Sequence, residues 1–153
     1  MAKFRKLLII CAATGTLALG ACTSAPVAQT AAASSAVAMS SRLSGANEVP
    51  ASTSAGSGTL EASFDKQTSM LTWTVTYSGL TGPVKAGHFH GPALAGANSG
   101  VALGFTGSMD SPIKGSATLT AAQAADVMAG KWYVNLHTAA FAGGEIRGQL
   151  AAK

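Results

Sequence analysis

Cysteine is scarce in this sequence, and its two cysteines are poorly placed to form a disulfide. Cys11 lies inside an apolar run close to the N-terminus, and Cys22 follows shortly after that run. A domain built from the later part of the chain would therefore fold without a disulfide, even in an oxidising compartment. Its stability must come from core packing.

Charge is scarce as well, since Asp, Glu, Lys and Arg make up 10% of the 153 residues. Three of the ten basic residues, Lys3, Arg5 and Lys6, lie at the N-terminus, and without them seven basic residues face six acidic ones, a net charge of +1. Nucleic-acid binding requires a clustered basic face, which this remainder does not offer. We therefore expect no nucleic-acid partner.

The apolar run from Leu7 to Leu19 is too short to span a membrane, which takes about 20 residues. It follows the three basic residues and ends in Leu19-Gly20-Ala21-Cys22, a pattern typical of a signal peptide. That ending resembles the lipobox of bacterial lipoproteins, in which the signal peptide is removed before a cysteine that carries lipid. We predict a lipoprotein signal peptide over residues 1–21 and lipidation of Cys22. The alternative is an ordinary secretory signal followed by an incidental cysteine.

A lipid on Cys22 implies a protein that is anchored to a membrane at the cell envelope. Two or three acyl chains hold a protein stably at a bilayer, whereas a single chain holds it only marginally. Thr23 follows the cysteine in place of an aspartate, which by the sorting pattern of bacterial lipoproteins favours the outer membrane, if the organism has one. Residues 22–40 are mainly Ala, Ser and Thr without strand alternation, and we predict a flexible tether there.

Residues 41–151 have the pattern of one folded domain that is rich in strands. Between Met70 and Tyr77, large apolar residues alternate with threonines, as in a strand with one buried face. Further predicted strands are Gly58–Phe64, Val84–His90, Val101–Phe105, Ile113–Leu119, Trp132–His137 and Glu145–Leu150. Thr120 and Gln123 form a capping-box pattern that predicts a short helix ending near Gly130. Leu119, Val127 and Met128 are expected to seat that helix on the sheet. The fold class is therefore all-β, an antiparallel β-sandwich or barrel with one short helix.

Four motifs in this segment resemble one known family. They are Leu43–Pro50, Gly87–Ala93, Trp132–Thr138 and Gly143–Leu150. Together they are similar to the CHRD domain, a module named after its repeats in the animal protein chordin and found singly in bacterial secreted proteins. The resemblance implies a sandwich like that of immunoglobulins or of Cu/Zn superoxide dismutase. It implies no particular activity, because a fold alone does not define one.

The three histidines of the chain all lie in these motifs. His88 and His90 are two residues apart on a predicted strand, so their side chains leave the same face, and Phe89 points the other way into the core. His137 lies opposite the apolar face of its own strand, together with Tyr133 and Asn135. If the two strands are neighbours, the three imidazoles form a surface site that suits copper or zinc. Alternatively, the histidines only brace loops through hydrogen bonds.

Three further charged residues are candidates for a functional role. Glu145 and Arg147 share a strand face, where a structural ion pair or protection of a sheet edge is the expected role. Glu48 lies in a loop, and the sequence does not place it relative to the histidines.

Three functions stay open at this stage. The first is a non-enzymatic binding module of the envelope that holds copper or zinc, and the second is a structural or adhesive lipoprotein without metal. The third, a dismutase-type enzyme, is disfavoured because the sequence lacks the further histidines, the aspartate and the disulfide of a bridged copper–zinc site. We therefore expect no catalysis, and the sequence names no protein partner.

Overall fold

The computed structural model describes residues 35–153, which contain nine strands, one α-helix and one short 3-10 helix at Gly45–Asn47. The strands are β1 (Ala36–Ser44), β2 (Ser57–Asp65), β3 (Met70–Ser78), β4 (Val84–His90), β5 (Val101–Gly104), β6 (Ile113–Thr118), β7 (Tyr133–Thr138), β8 (Ile146–Gln149) and β9 (Ala151–Ala152). The predicted signal peptide, Cys22 and most of the predicted tether lie outside the described residues. Neither helix within residues 35–153 has the length and apolar character needed to cross a bilayer.

All described strands belong to one antiparallel sheet in the order β5-β4-β7-β8-β1-β2-β3-β6, and β9 pairs with β1. The sheet curls so that β3 faces β4 across the core. The Trp73 indole on β3 lies 5.3 Å from the Phe89 ring on β4 and 5.3 Å from the Phe105 ring after β5. The predicted all-β sandwich or barrel is confirmed.

The β2–β3 hairpin shows how the sequence pattern produces the strands. Leu71, Trp73 and Val75 are buried in the core, while the threonines between them are exposed or half-buried. The turn is closed by Asp65, whose Oδ1 accepts hydrogen bonds from the backbone N–H groups of Gln67 and Thr68. Because side chains alternate on a pleated strand, the apolar residues form a buried face and the threonines form a more exposed one.

The first strand begins earlier than the sequence predicted. The tether was expected to extend to residue 40, but β1 begins at Ala36 and pairs with β2 along its whole length. Met39, Ser41 and Leu43 are buried on its inner face. The alternation is weak because the intervening residues are mostly small, so tertiary pairing with β2 decides the conformation.

The helix α1 (Ala121–Met128) begins with the predicted capping box. The Gln123 backbone N–H donates to Thr120 Oγ1, and the Thr120 backbone N–H donates to Gln123 Oε1. Leu119 and Val127 are buried and seat the helix on the sheet as predicted. The expectation for Met128 is wrong: it is 41% exposed, because it lies one residue further round the helix than Val127.

Candidate metal centre

The three histidines meet where β4 and β7 pair. His88 and His90 project from the same face of β4, and Phe89 between them is fully buried on the other face. In the antiparallel register, His88 lies opposite Asn135 and Ala86 lies opposite His137. His88 Nδ1 is therefore 3.3 Å from His137 Nε2. One ring nitrogen from each of the three histidines lies within 4.8 Å of the other two, so the predicted convergence is confirmed.

The predicted surface site is only partly exposed, because all three histidines are half-buried. Loops cover the polar face of β7 and β8 that was expected to lie opposite the core. Tyr133 and Asn135 on that face are each 3% exposed. A buried polar face leaves fewer water molecules to satisfy the side-chain nitrogens, so protein atoms must do so.

His90 has one ring nitrogen fixed and the other free of protein partners. Its Nδ1 lies 3.0 Å from the Ser99 carbonyl oxygen, an acceptor, so Nδ1 carries the hydrogen. Its Nε2 is buried and has no hydrogen-bond partner among the described residues. The ring also stacks on Tyr133 with a centroid separation of 4.8 Å and an interplanar angle of 3°. His90 therefore presents an oriented lone pair on Nε2.

His137, at the end of β7, has the same kind of backbone contact, but its second ring nitrogen also has protein neighbours. Its Nδ1 lies 2.9 Å from the Ala142 carbonyl oxygen, and a hydrogen on Nδ1 would satisfy that oxygen and leave the lone pair on Nε2. Metal-binding histidines commonly donate their other N–H to a backbone carbonyl, because this fixes both the tautomer and the ring orientation. Both His90 and His137 have this second contact.

Burial favours the neutral form of two of the histidines. Burial lowers the pKa of His88, and the nearby His137 and His90 lower it further. Burial also lowers the pKa of His137; its hydrogen bond with Ala142 opposes this effect, and His90 adds to it. Only a neutral imidazole can bind a metal, so these side chains are in the form that ligation requires.

The spacing also fits a metal ion. Zn–N bonds of about 2.0–2.1 Å place two ligands of a tetrahedral ion about 3.3–3.4 Å apart. The 3.3 Å between His88 Nδ1 and His137 Nε2 corresponds to that spacing. Three imidazoles form a ligand set that suits Zn(II) or Cu(II).

A family model of the CHRD domain matches residues 39–150. The chain belongs to the CHRD domain family. The match begins within β1, ends directly after β8 and includes all three histidines. No curated protein and no solved structure matches the chain.

Glu48 of this CHRD domain lies behind the histidines, a position that the sequence left open. It is 7% exposed, and burial raises its pKa to about 7, although the Arg147 charge and hydrogen bonds from Asn135 and the Val49 backbone lower it. The Asn135 amide links Glu48 to the site, because Asn135 Oδ1 lies 3.0 Å from His137 Nε2. The sequence placed Asn135 on the same face as His137 but indicated no role for it.

The predicted ion pair of Glu145 and Arg147 does not form. The described residues contain no salt bridge between them, and β8 lies inside the sheet between β7 and β1, so it protects no edge. Glu145 precedes β8, and its carboxylate instead accepts hydrogen bonds from Ser54 and Thr81 in loops and from Thr138 at the end of β7. Arg147 donates to Asn98 Oδ1 and to the Ala97 carbonyl, and its guanidinium lies 3.3 Å from the centroid of the Tyr133 ring. Both residues therefore hold loops over the polar face.

Proposed function

We propose that this CHRD domain is a non-enzymatic metal-binding module of the cell envelope. In this proposal His88, His90 and His137 hold Cu(II) or Zn(II). The observation that carries it is the pair of imidazoles whose Nδ1 atoms are tied to the Ser99 and Ala142 carbonyls. A hydrogen on each Nδ1 would satisfy these carbonyls and leave a lone pair on each Nε2, and one of these Nε2 atoms lies at ligand spacing from His88.

Metal titration of the protein purified without a histidine tag tests this proposal. We expect wild type to bind one Cu(II) or Zn(II) per chain near neutral pH. The double substitution His88→Ala/His90→Ala should weaken binding by more than about 100-fold, since loss of a contact outside the ligand shell alone costs about 10–100-fold. Binding should also fall below about pH 6, because protons compete for the imidazole lone pairs.

Lys85→Ala is the matched control for this titration, because Lys85 is exposed on the same strand. It should bind metal like wild type. An unchanged affinity in the double histidine variant would refute the metal-binding function.

A structural or adhesive role is the second candidate. The hydrogen bonds that orient His90 and His137 also tie the loops at Ser99 and Ala142 to β4 and β7. In that case His88→Ala/His90→Ala would lower the melting temperature, and wild type would bind no metal. Thermal unfolding with and without added Zn(II) separates the two candidates, because a ligand that binds only the folded state raises the melting temperature.

We also propose that Cys22 carries the lipid that anchors the domain, with the outer membrane favoured. The support lies in the basic N-terminal residues, the short apolar run and the small residues before Cys22. We expect Cys22→Ala to abolish incorporation of labelled fatty acid and to release the protein from the membrane fraction. Cys11→Ala is the matched control and should leave both unchanged. Membrane retention and labelling of the Cys22→Ala protein would contradict the anchor.

A further inference from the structure

His137 has a hydrogen-bond acceptor close to both ring nitrogens. The Ala142 carbonyl lies 2.9 Å from Nδ1, and Asn135 Oδ1 lies 3.0 Å from Nε2. A neutral imidazole has one N–H and can satisfy only one of these acceptors. Where the hydrogen lies on Nδ1, the lone pair of Nε2 faces Asn135 Oδ1, and His88 Nδ1 lies 3.3 Å from the same Nε2 atom. A metal ion among these three atoms would have all three as ligands.

The Asn135 amide is held so that its oxygen faces the histidines. Its N–H group faces the Glu48 carboxyl on the other side. Glu48 and the amide pack under Gly144, where an added Cβ would lie 2.8 Å from Glu48 Cδ and 2.9 Å from Asn135 Nδ2. A rotation of the amide by half a turn would set its N–H group against His137 and turn Oδ1 toward the Glu48 carboxyl. The packing under Gly144 therefore places Glu48 on the side of the amide that is opposite His137.

We infer that Asn135 Oδ1 is the fourth ligand of the ion, and that Glu48 positions it. This inference rests on the proposed metal-binding function. The distances from His137 Nε2 to His88 Nδ1 and to Asn135 Oδ1 are 3.3 and 3.0 Å. The first equals the spacing of two ligands around a tetrahedral ion with bonds of about 2.0–2.1 Å. The second is shorter, so Asn135 Oδ1 would have to move outward by a few tenths of an ångström when the ion binds. Asn135 also lies directly opposite His88 in the β4–β7 register.

A fourth protein ligand decides what kind of site this is. Catalytic zinc sites keep one position open for water or substrate, whereas closed sites with four protein ligands have a structural role. An amide oxygen is a hard ligand, so the set of three nitrogens and one oxygen favours divalent Zn(II) or Cu(II) over Cu(I), which prefers sulfur ligands. The domain would thus retain a divalent ion rather than expose it to a substrate such as superoxide.

Two variants of the full-length protein test the inference by Cu(II) and Zn(II) titration. Asn135→Ala removes the oxygen and should weaken binding by at least about 10-fold, the least that loss of even an outer contact costs. The exchange Glu48→Gln/Asn135→Asp swaps the amide and the carboxyl, so that the glutamine amide can donate to one aspartate oxygen while the other oxygen faces the ion. That protein should bind at least as tightly as wild type. Asn47→Ala, which removes an exposed amide outside the site, is the control and should bind like wild type.

Electron paramagnetic resonance of the Cu(II) protein gives a second readout. The spectrum should show three coupled nitrogens in wild type and in Asn135→Ala, with altered copper parameters in Asn135→Ala. If wild type binds metal, and Asn135→Ala has the same affinity and spectrum, the inference is overturned while the proposed function stands. If wild type binds no metal, the proposed function itself fails. Should Asn135→Ala not fold, loss of binding in the folded exchange variant would equally overturn the inference.

Discussion

Glu145→Ala is expected to lower the free energy of unfolding by at least about 3 kcal/mol, because the fully buried carboxylate joins two loops to the end of β7. Thr138 Oγ1 donates to Oε2 at 2.5 Å and Thr81 Oγ1 at 2.9 Å, while Ser54 Oγ and the Thr81 backbone N–H donate to Oε1 at 2.7 and 2.8 Å. Alanine would leave all four donors without this acceptor and open a cavity. Urea unfolding at pH 7 measures the loss.

Glu145→Gln is the matched control for this prediction. A glutamine keeps the shape and one oxygen, and the hydroxyls of Thr81 and Thr138 can rotate to accept from its amide, so the loss should be smaller than in Glu145→Ala. An unfolding free energy of Glu145→Ala close to that of wild type would contradict the proposed role of the carboxylate.

The same carboxylate makes stability depend on pH. Burial raises the pKa of Glu145, but the hydrogen bonds from Thr138, Ser54 and Thr81 outweigh it, and the pKa in the folded state is lower than usual. The ionised form is thus favoured by folding. Its contribution is present above the unfolded-state pKa near 4.5 and is lost as the pH falls from there through the lower folded-state value. The difference in stability between wild type and Glu145→Gln should therefore narrow below about pH 4.5.

Phe89→Ala is expected to lower the free energy of unfolding by about 3–5 kcal/mol, the range for removing a fully buried aromatic side chain. The ring has edge-to-face contacts with Trp73 and Phe105 at 5.3 Å and lies 5.7 Å from Trp132. These contacts connect β4 to the opposite side of the curled sheet, so their loss leaves a cavity at the centre of the core. Urea unfolding again measures the change.

Lys85→Ala on the same strand is the control, and it should change stability by less than about 0.5 kcal/mol because Lys85 is exposed. Phe89→Leu should lower the free energy of unfolding less than Phe89→Ala does, because leucine fills part of the cavity that removal of the ring would leave. A loss below about 1 kcal/mol in Phe89→Ala would mean that the core can collapse around the missing ring.

The sequence predicted most accurately those strands in which large apolar residues alternate clearly with polar ones. The bounds of β4 agree with the prediction, and β3 extends only one residue further than predicted, because large apolar and β-branched residues alternate clearly there. The start of β1 was missed because small residues such as Ala38 and Ser40 separate its buried side chains. Its conformation depends on pairing with β2, which local sequence does not reveal.

The candidate site was predictable to a similar extent. The shared face of His88 and His90 follows from strand geometry, and the fixed side-chain alternation also placed Asn135 beside His137. The pairing of β4 with β7 could not be predicted in this way, because it depends on the order of the strands in the sheet. The burial of Glu48 and the hydrogen bonds of Glu145 depend on loops that fold over the polar face, and a period-two pattern carries no information about loop paths.

The position of β1 in the sheet has a consequence for the order in which the domain can fold. β1 lies between β2 and the β8–β9 segment, and Met39 pairs with Ala152. The half of the sheet that carries the histidines joins the other half only through β8 and β1. The sheet therefore cannot close until residues 146–152 are available, and such distant pairing is slow to form. A chain that ended before residue 146 could still pair β4 with β7 and so bring the histidines together, but its two half-sheets would stay unjoined.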